Sequence, residues 1–210
     1  MLIIIPCRNE ESNIIKVAKT CLKYSDVIVI NDNSNDKSEE LLLKNKIKYI
    51  KNINTMGYEQ SLLIGIRYAL KNNYKSFCTI DGDGEISPNE IKRITDHKIK
   101  NNIIIGSRNI KRRFIEKLIS NLYKFKHGIH DPYCGLKFFK FYDNYKIPKS
   151  KLDTYSLKII DSFLNPKSNI FNLPIDIKYM RKNSRLGGSI QVNLKLLISF
   201  LLYKSWKVFN

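Results

Sequence analysis

Val27-Ile28-Val29-Ile30-Asn31-Asp32-Asn33-Ser34-Asn35-Asp36 joins an unbroken β-branched apolar run to a polar loop. A half-buried strand alternates, whereas a run apolar at every position predicts burial on both faces, as in the centre of a parallel sheet. The same pattern recurs on either side. Leu2 to Ile5 leads into Pro6-Cys7-Arg8-Asn9, Phe77 to Ile80 into Asp81-Gly82-Asp83-Gly84, and Ile103 to Ile105 into Gly106-Ser107-Arg108, while Ile47 to Ile50 reads as a further strand. Helical patterns fill the intervals. Asn9-Glu10-Glu11 reads as a capped, acid-rich helix start ahead of Ile14, Ala18, Cys21 and Leu22. Asp36 to Asn45 is a second helix, Met56 to Asn72 a third with Leu62, Ile66, Ala69 and Leu70 inward, and Pro88 opens a fourth. This alternation predicts a doubly wound, mostly parallel α/β sheet of at least five strands, with ligands gathered at the carboxyl ends of the strands.

The chain then continues through a basic helix from Lys111 to Lys126, a loop around Asp131 to Gly135, a helix near Thr154 to Leu164 and a strand near Leu173 to Tyr179. Nothing marks a linker or repeat, so residues 1–190 are expected to form one domain and 191–210 an appended apolar helix. At 210 residues, such a domain buries a sufficient core without disulfides or a structural metal. Cys7, Cys21, Cys78 and Cys134 form no Cys-x-x-Cys pair, and no signal peptide is visible. They are expected to be reduced, packed thiols of a cytoplasmic protein.

The net charge of +18 is unevenly placed: Met1 to Glu90 carries 12 basic and 12 acidic residues, Ile91 to Asn210 carries 25 and 7. A neutral front and basic back predict an anionic partner for the second part. In the Lys111 to Lys126 helix, Phe114, Ile115, Leu118, Ile119 and Leu122 share a face from which the lysines and arginines largely keep away, a pattern that fits a membrane interface or an ordinary core contact. Val192 to Val208 is apolar, but Lys195, Lys204 and Lys207 interrupt it, so it is expected to anchor, cover or pair rather than span.

Ile80-Asp81-Gly82-Asp83-Gly84 is the strongest chemical feature. Two carboxylates one residue apart offer hard oxygen ligands to Mg²⁺ or Mn²⁺, and the glycines let a diphosphate approach the backbone. Such a cation would stabilise a departing diphosphate. Alone, the string also fits an ordinary turn.

Five motifs nevertheless keep their order: Ile3 to Glu11, Val29 to Asp36, Asp81 to Gly84 with Pro88, Ile105 to Arg108, and Asp131-Pro132-Tyr133-Cys134-Gly135-Leu136-Lys137. Together they resemble the family 2 glycosyltransferases, in particular the branch typified by dolichol-phosphate mannose synthase and bacterial polyprenyl-phosphate sugar synthases. The resemblance spans roughly residues 2 to 190 and implies the A-type glycosyltransferase fold. It also implies hexosyl transfer, with inversion, from a nucleotide-diphosphate sugar to an anionic lipid-linked acceptor such as polyprenyl phosphate. On this reading Pro6, Asn9 and Glu11 border the nucleotide, Asp32 contacts base or ribose, and Asp81 and Asp83 hold metal and diphosphate. The family commonly has Asp-Asp-Gly-Ser where this chain has Asn31-Asp32-Asn33-Ser34, which leaves the donor base open.

Asp83, Arg108 and Asp131 are the catalytic candidates. Arg108 suits an acceptor phosphate because its charge is permanent and its donors forked. Asp131 is either a general base or a residue that orders its loop, since a phosphate acceptor needs no base. Arg181 or Arg185, with Ser189, resembles the late segment that closes over the pyrophosphate.

The resemblance places the protein peripherally at the cytoplasmic face of a membrane, with a membrane-protein partner or a homodimer both open. A transferase acting on a glycan hydroxyl is the competing enzyme. A nucleic-acid binder fits the charge but gives the carboxylate motifs no role, and a nucleotidyltransferase would begin with a glycine-rich loop, which Pro6 to Glu11 is not.

Overall fold

The computed structural model describes residues 1–98, 100–109, 113–148, 153–177 and 189–208. Strands β1 (Leu2–Cys7), β2 (Asp26–Asn31), β3 (Tyr49–Lys51), β4 (Ser76–Thr79), β5 (Ile103–Arg108), β6 (Lys137–Lys140) and β7 (Ile170–Ile175) form one sheet in the order β3-β2-β1-β4-β6-β5-β7. Helices α1 (Ile14–Cys21), α2 (Ser38–Lys44), α3 (Tyr58–Lys71), α4 (Glu90–His97), α5 (Phe114–His127), α6 (Leu157–Phe163) and α7 (Ser189–Val208) connect and cover it. All neighbouring strands pair in parallel except β6, which runs antiparallel to both β4 and β5.

The strand periodicity of two divides the core between the faces of the sheet. Ile3, Ile5, Val27 and Val29 pack with Ile14, Val17 and Ala18 of α1, Leu42 of α2 and Ile91 and Ile94 of α4. Ile4, Ile28 and Ile30 pack with Leu62, Leu63, Ile66 and Ala69 of α3. Each such fully buried Val, Leu or Ile side chain contributes roughly 1.5–3 kcal/mol of transfer free energy. Gly65 lets α3 lie close on β1, since a Cβ there would sit 2.4 Å from Ile4 Cγ2.

Several sequence expectations are corrected. The Asn9-Glu10-Glu11 stretch does not begin a helix: Asn9 has φ +54° and α1 starts at Ile14. Leu22, grouped with Ile14, Ala18 and Cys21 by helical spacing, is exposed just beyond the end of α1. The apolar set of α5, for which core and membrane interface were both open, is divided by the fold: Ile119 faces inward with Glu116, Ser120 and Tyr123, while Phe114, Leu118 and Leu122 face outward. Strand β6 is not legible in Lys137-Phe138-Phe139-Lys140, which is short and flanked by charge. Its rings secure its place, with Phe139 centred 5.3 Å from Phe77 of β4 and 4.6 Å from Phe163 of α6.

Candidate active site

The polar loops after β1, β2, β3 and β4 and the end of β5 gather at one edge of the sheet, the carboxyl ends of its parallel strands. Because β6 is reversed, its leading loop, Asp131 to Leu136, arrives at that same edge. Pro6 fits here because its missing N–H would point towards β4, and the β1·β4 pairing has already ended at Ile4 and Thr79.

The first two loops are laced together. The Asn9 N–H donates to Ser34 Oγ at 3.0 Å, and Asn9 Oδ1 accepts from the Asn35 N–H at 2.9 Å. The Glu11 N–H donates to Asp36 Oδ2 at 3.0 Å, while Glu11 Oε2 accepts from the Lys37 N–H at 2.9 Å. Asp32 is buried; its Oδ1 accepts from Asn52 Nδ2 and the Met56 N–H, both at 2.8 Å, and its Oδ2 from the Gly57 N–H at 2.9 Å. Asn9, Glu11 and Asp32 thus shape the loops around the site. Pro6, Asp81, Asp83 and Arg108 line its cavity, of about 300 Å³, directly.

Asp81 lies at the base of that cavity, where its Oδ1 accepts from the Tyr58 hydroxyl at 3.0 Å. Gly135 approaches from the opposite loop so closely that a Cβ would fall 2.0 Å from Asp81 Oδ2. Burial and the neighbouring Asp83 push the Asp81 carboxyl up to about 6, against the pull of Lys137, the Tyr58 hydrogen bond and Arg108. Lys137 is itself buried and donates to the Cys134 carbonyl. Burial lowers its pKa, opposed by Cys134, Asp81 and Asp131.

Arg108 is held in a fork. Its Nε reaches Asp131 Oδ2 at 2.7 Å, Nη2 reaches Asp131 Oδ1 at 2.9 Å and Glu116 Oε1 at 2.8 Å, and its backbone N–H donates to Asp131 Oδ2 at 3.2 Å. Burial alone would lower the arginine pKa, but Asp131 more than reverses this and keeps the guanidinium charged. Asp131 is fully buried beneath that pairing, so in this arrangement both its oxygens serve Arg108.

Glu10, Tyr58, Arg113, Glu116, Tyr133, Tyr155 and Leu196, absent from the sequence-derived candidates, also line the cavity. Of these, Glu10 and Tyr133 stand inside the ordered motifs, whereas Tyr58, Glu116, Tyr155 and Leu196 are brought to the cavity only by folding. Arg181 and Arg185 lie outside the described residues, and Ser189 is described only as the first residue of α7.

Around the cavity, two arginines, Arg108 and Arg113, face four carboxylates: Glu10, Asp81, Asp83 and Glu116. Such a lining repels a bare diphosphate and favours a divalent cation with it. Among the described residues no group of three or more His, Cys, Asp or Glu is placed to cage a metal. The paired carboxylates fit an ion of the Mg²⁺ or Mn²⁺ kind that completes its shell with phosphate oxygens and water.

Residues 2–148, well over half of the chain, match the family described as glycosyl transferase family 2. The chain belongs to that family. This glycosyl transferase family 2 chain is 34% identical over 133 residues to an uncharacterised protein of Methanocaldococcus jannaschii, covering 59% of this chain and 58% of that one. It is 25% identical over 171 residues to a dolichyl-phosphate beta-glucosyltransferase of Trichomonas vaginalis, covering 65% of this chain and 52% of that one. The chain therefore spans little more than half the length of either relative. The crystal structure of glucosyl-3-phosphoglycerate synthase from Mycobacterium tuberculosis in complex with Mn²⁺ and uridine-diphosphate-glucose superposes with a TM-score of 0.69 at 14% identity, over 94% of this chain and 78% of that one. That likeness shows the A-type glycosyltransferase fold.

Proposed function

We propose that this chain transfers a hexose from a nucleotide-diphosphate sugar to a polyprenyl phosphate at a membrane surface, with inversion at the anomeric carbon. The observation that carries the acceptor half is a juxtaposition: the cavity holding Asp81 and Asp83 is also lined by Leu196 of α7 and Arg113 at the start of α5. These two helices pack together, with the Ile115 N–H donating to Asn193 Oδ1 at 3.2 Å. Their outward faces expose Phe114, Leu118, Leu122 and Phe125 on α5 and Leu194, Ile198 and Leu201 on α7. Exposed Lys117, Lys124, Lys126 and Lys195 accompany these apolar faces. An apolar face edged by lysines suits an anionic bilayer interface, and no helix among the described residues is long and apolar enough to cross a membrane. The similarity to a dolichyl-phosphate glucosyltransferase supports the same acceptor class.

In the reaction the acceptor phosphate oxygen bonds to the anomeric carbon as the bond from that carbon to the nucleotide diphosphate breaks. Asp81 and Asp83 would hold Mg²⁺ or Mn²⁺, which supplies Lewis-acid stabilisation of the leaving diphosphate. The solved neighbour was captured with Mn²⁺ and its nucleotide sugar, which supports a divalent ion here. Tyr58 steadies Asp81, and Asn9, Glu11 and Asp32 shape the nucleotide-side loops. Asp131 aims Arg108 and holds its charge, and a phosphate acceptor, already an anion, asks no base of it. Arg181 or Arg185, with Ser189, remains the proposed closing segment over the pyrophosphate.

The test is nucleotide-sugar turnover with Mg²⁺ or Mn²⁺ on polyprenyl phosphate, on the dephosphorylated polyprenol and on a glycan hydroxyl acceptor, with an Asp83→Asn control. Turnover that needs the lipid phosphate and disappears in Asp83→Asn is expected. Transfer to the glycan hydroxyl alone would overturn the acceptor assignment, and failure to bind any nucleotide sugar would overturn the transferase.

A further inference from the structure

Tyr155 faces the cavity from an improbable piece of backbone. It and the next residue, Ser156, both lie in the left-handed region, with φ +49° and φ +72°, although neither is glycine. Side-chain-bearing residues avoid that region, and two in succession persist only where surrounding contacts over-determine them.

Those contacts form a reciprocal clamp between the 153–156 loop and the first turn of α3. Asp153 accepts from the Tyr58 N–H at 3.0 Å, the Glu59 N–H at 3.4 Å and the Tyr155 N–H at 2.8 Å. Glu59, fully buried, answers by accepting from the Thr154 N–H at 3.1 Å, the Thr154 hydroxyl and the Ser156 N–H at 2.9 Å. On its other side the loop is tied to α7, whose Ser199 hydroxyl donates to the Asp153 carbonyl at 2.7 Å. Burying a carboxylate is costly unless it is hydrogen-bonded, and the bonds that offset this cost at Glu59 hold the loop. The clamp leaves Tyr155 half-buried at the cavity wall.

From these observations we infer that Tyr155 is an acceptor-binding residue, its ring packing against the first isoprenoid units next to the acceptor phosphate, and that Glu59 is the positioning residue that holds it there. The inference rests on the polyprenyl phosphate reading above. Asp81 and Asp83 mark the donor end of the cavity, where Tyr58 donates to Asp81. The loop that carries Tyr155 is tied through Asp153 both to Tyr58 and, by its carbonyl, to α7, the helix that contributes the apolar Leu196, and that link to α7 favours the acceptor.

Calorimetric titration of the full chain, preloaded with nucleotide diphosphate and Mn²⁺, with a polyprenyl phosphate of two or three isoprene units tests this. Tyr155→Ala is expected to weaken acceptor binding about tenfold and Tyr155→Phe less than twofold, both leaving nucleotide affinity and melting temperature unchanged. Glu59→Gln is expected to weaken acceptor binding likewise; if it unfolds, the two Tyr155 variants decide alone. Wild-type binding that Tyr155→Ala leaves intact, or an equal loss of nucleotide affinity, overturns this inference while the acceptor class stands. A wild type that binds nucleotide but no prenyl phosphate overturns both.

Discussion

Arg108 shows how much of the site's chemistry is settled by one side chain and its neighbours. Asp131 and Glu116 are both buried carboxylates that depend on its guanidinium. Arg108→Met should therefore destabilise the fold by about 3–5 kcal/mol, the cost of removing one partner of a buried ion pair, measured by urea denaturation. Arg108→Lys should retain the charge yet lose the two-point grip, and recover only part of that stability. At Gly135 the constraint is space: an alanine Cβ would meet Asp81 Oδ2 at 2.0 Å. Gly135→Ala is expected to cost about 1–3 kcal/mol and to weaken Mn²⁺ binding, followed by the paramagnetic signal of free ion. Asp81, Asp83 and Arg108, which line the cavity, could be picked out in the sequence because their motifs are contiguous. Tyr58 and Tyr155 were not, since a tyrosine after Gly57 or Thr154 looks like any half-buried aromatic until folding brings it to the cavity.

At the scale of elements, α5 carries two separate surfaces. Its inward face places Glu116 on Arg108 and Tyr123 on Asp161, the latter at 3.1 Å. Its outward face leaves Phe114 74% and Phe125 95% exposed, the apolar stripe on which the proposed membrane docking rests. Phe125→Ser combined with Leu118→Ser should leave the melting temperature unchanged and weaken partition onto anionic vesicles by about 2 kcal/mol, roughly thirtyfold, in a sedimentation assay. The sequence pattern showed that α5 is amphipathic but left open whether its apolar face meets the core or a membrane interface, and the fold turns Phe114, Leu118 and Leu122 outward. Hydrophobicity alone ranks Phe114 and Leu118 above Glu116, and only the buried arginine makes the carboxylate the better inward residue.

Across the whole molecule, the basic second part would add a long-range attraction to the apolar contact of the proposed membrane docking. Vesicle binding should fall steeply as salt is raised from 50 to 500 mM, with each lysine near the surface worth about 1 kcal/mol at low salt. Transfer to a short, water-soluble prenyl phosphate should be far less salt-sensitive; equal sensitivity of the two would place the charge effect in the cavity instead. The β-α alternation, the parallel central strands and the carboxylate loops were determined by the sequence itself, because periodicity, polarity and glycine placement act over a few neighbouring residues. Only the tertiary structure decided that β6 runs backwards between β4 and β5, that Asp131 locks onto Arg108 across 23 positions, and that Asp153 reaches Tyr58 across 95. Those pairings depend on which groups share a low-dielectric interior once the chain is compact, and no local pattern carries that information.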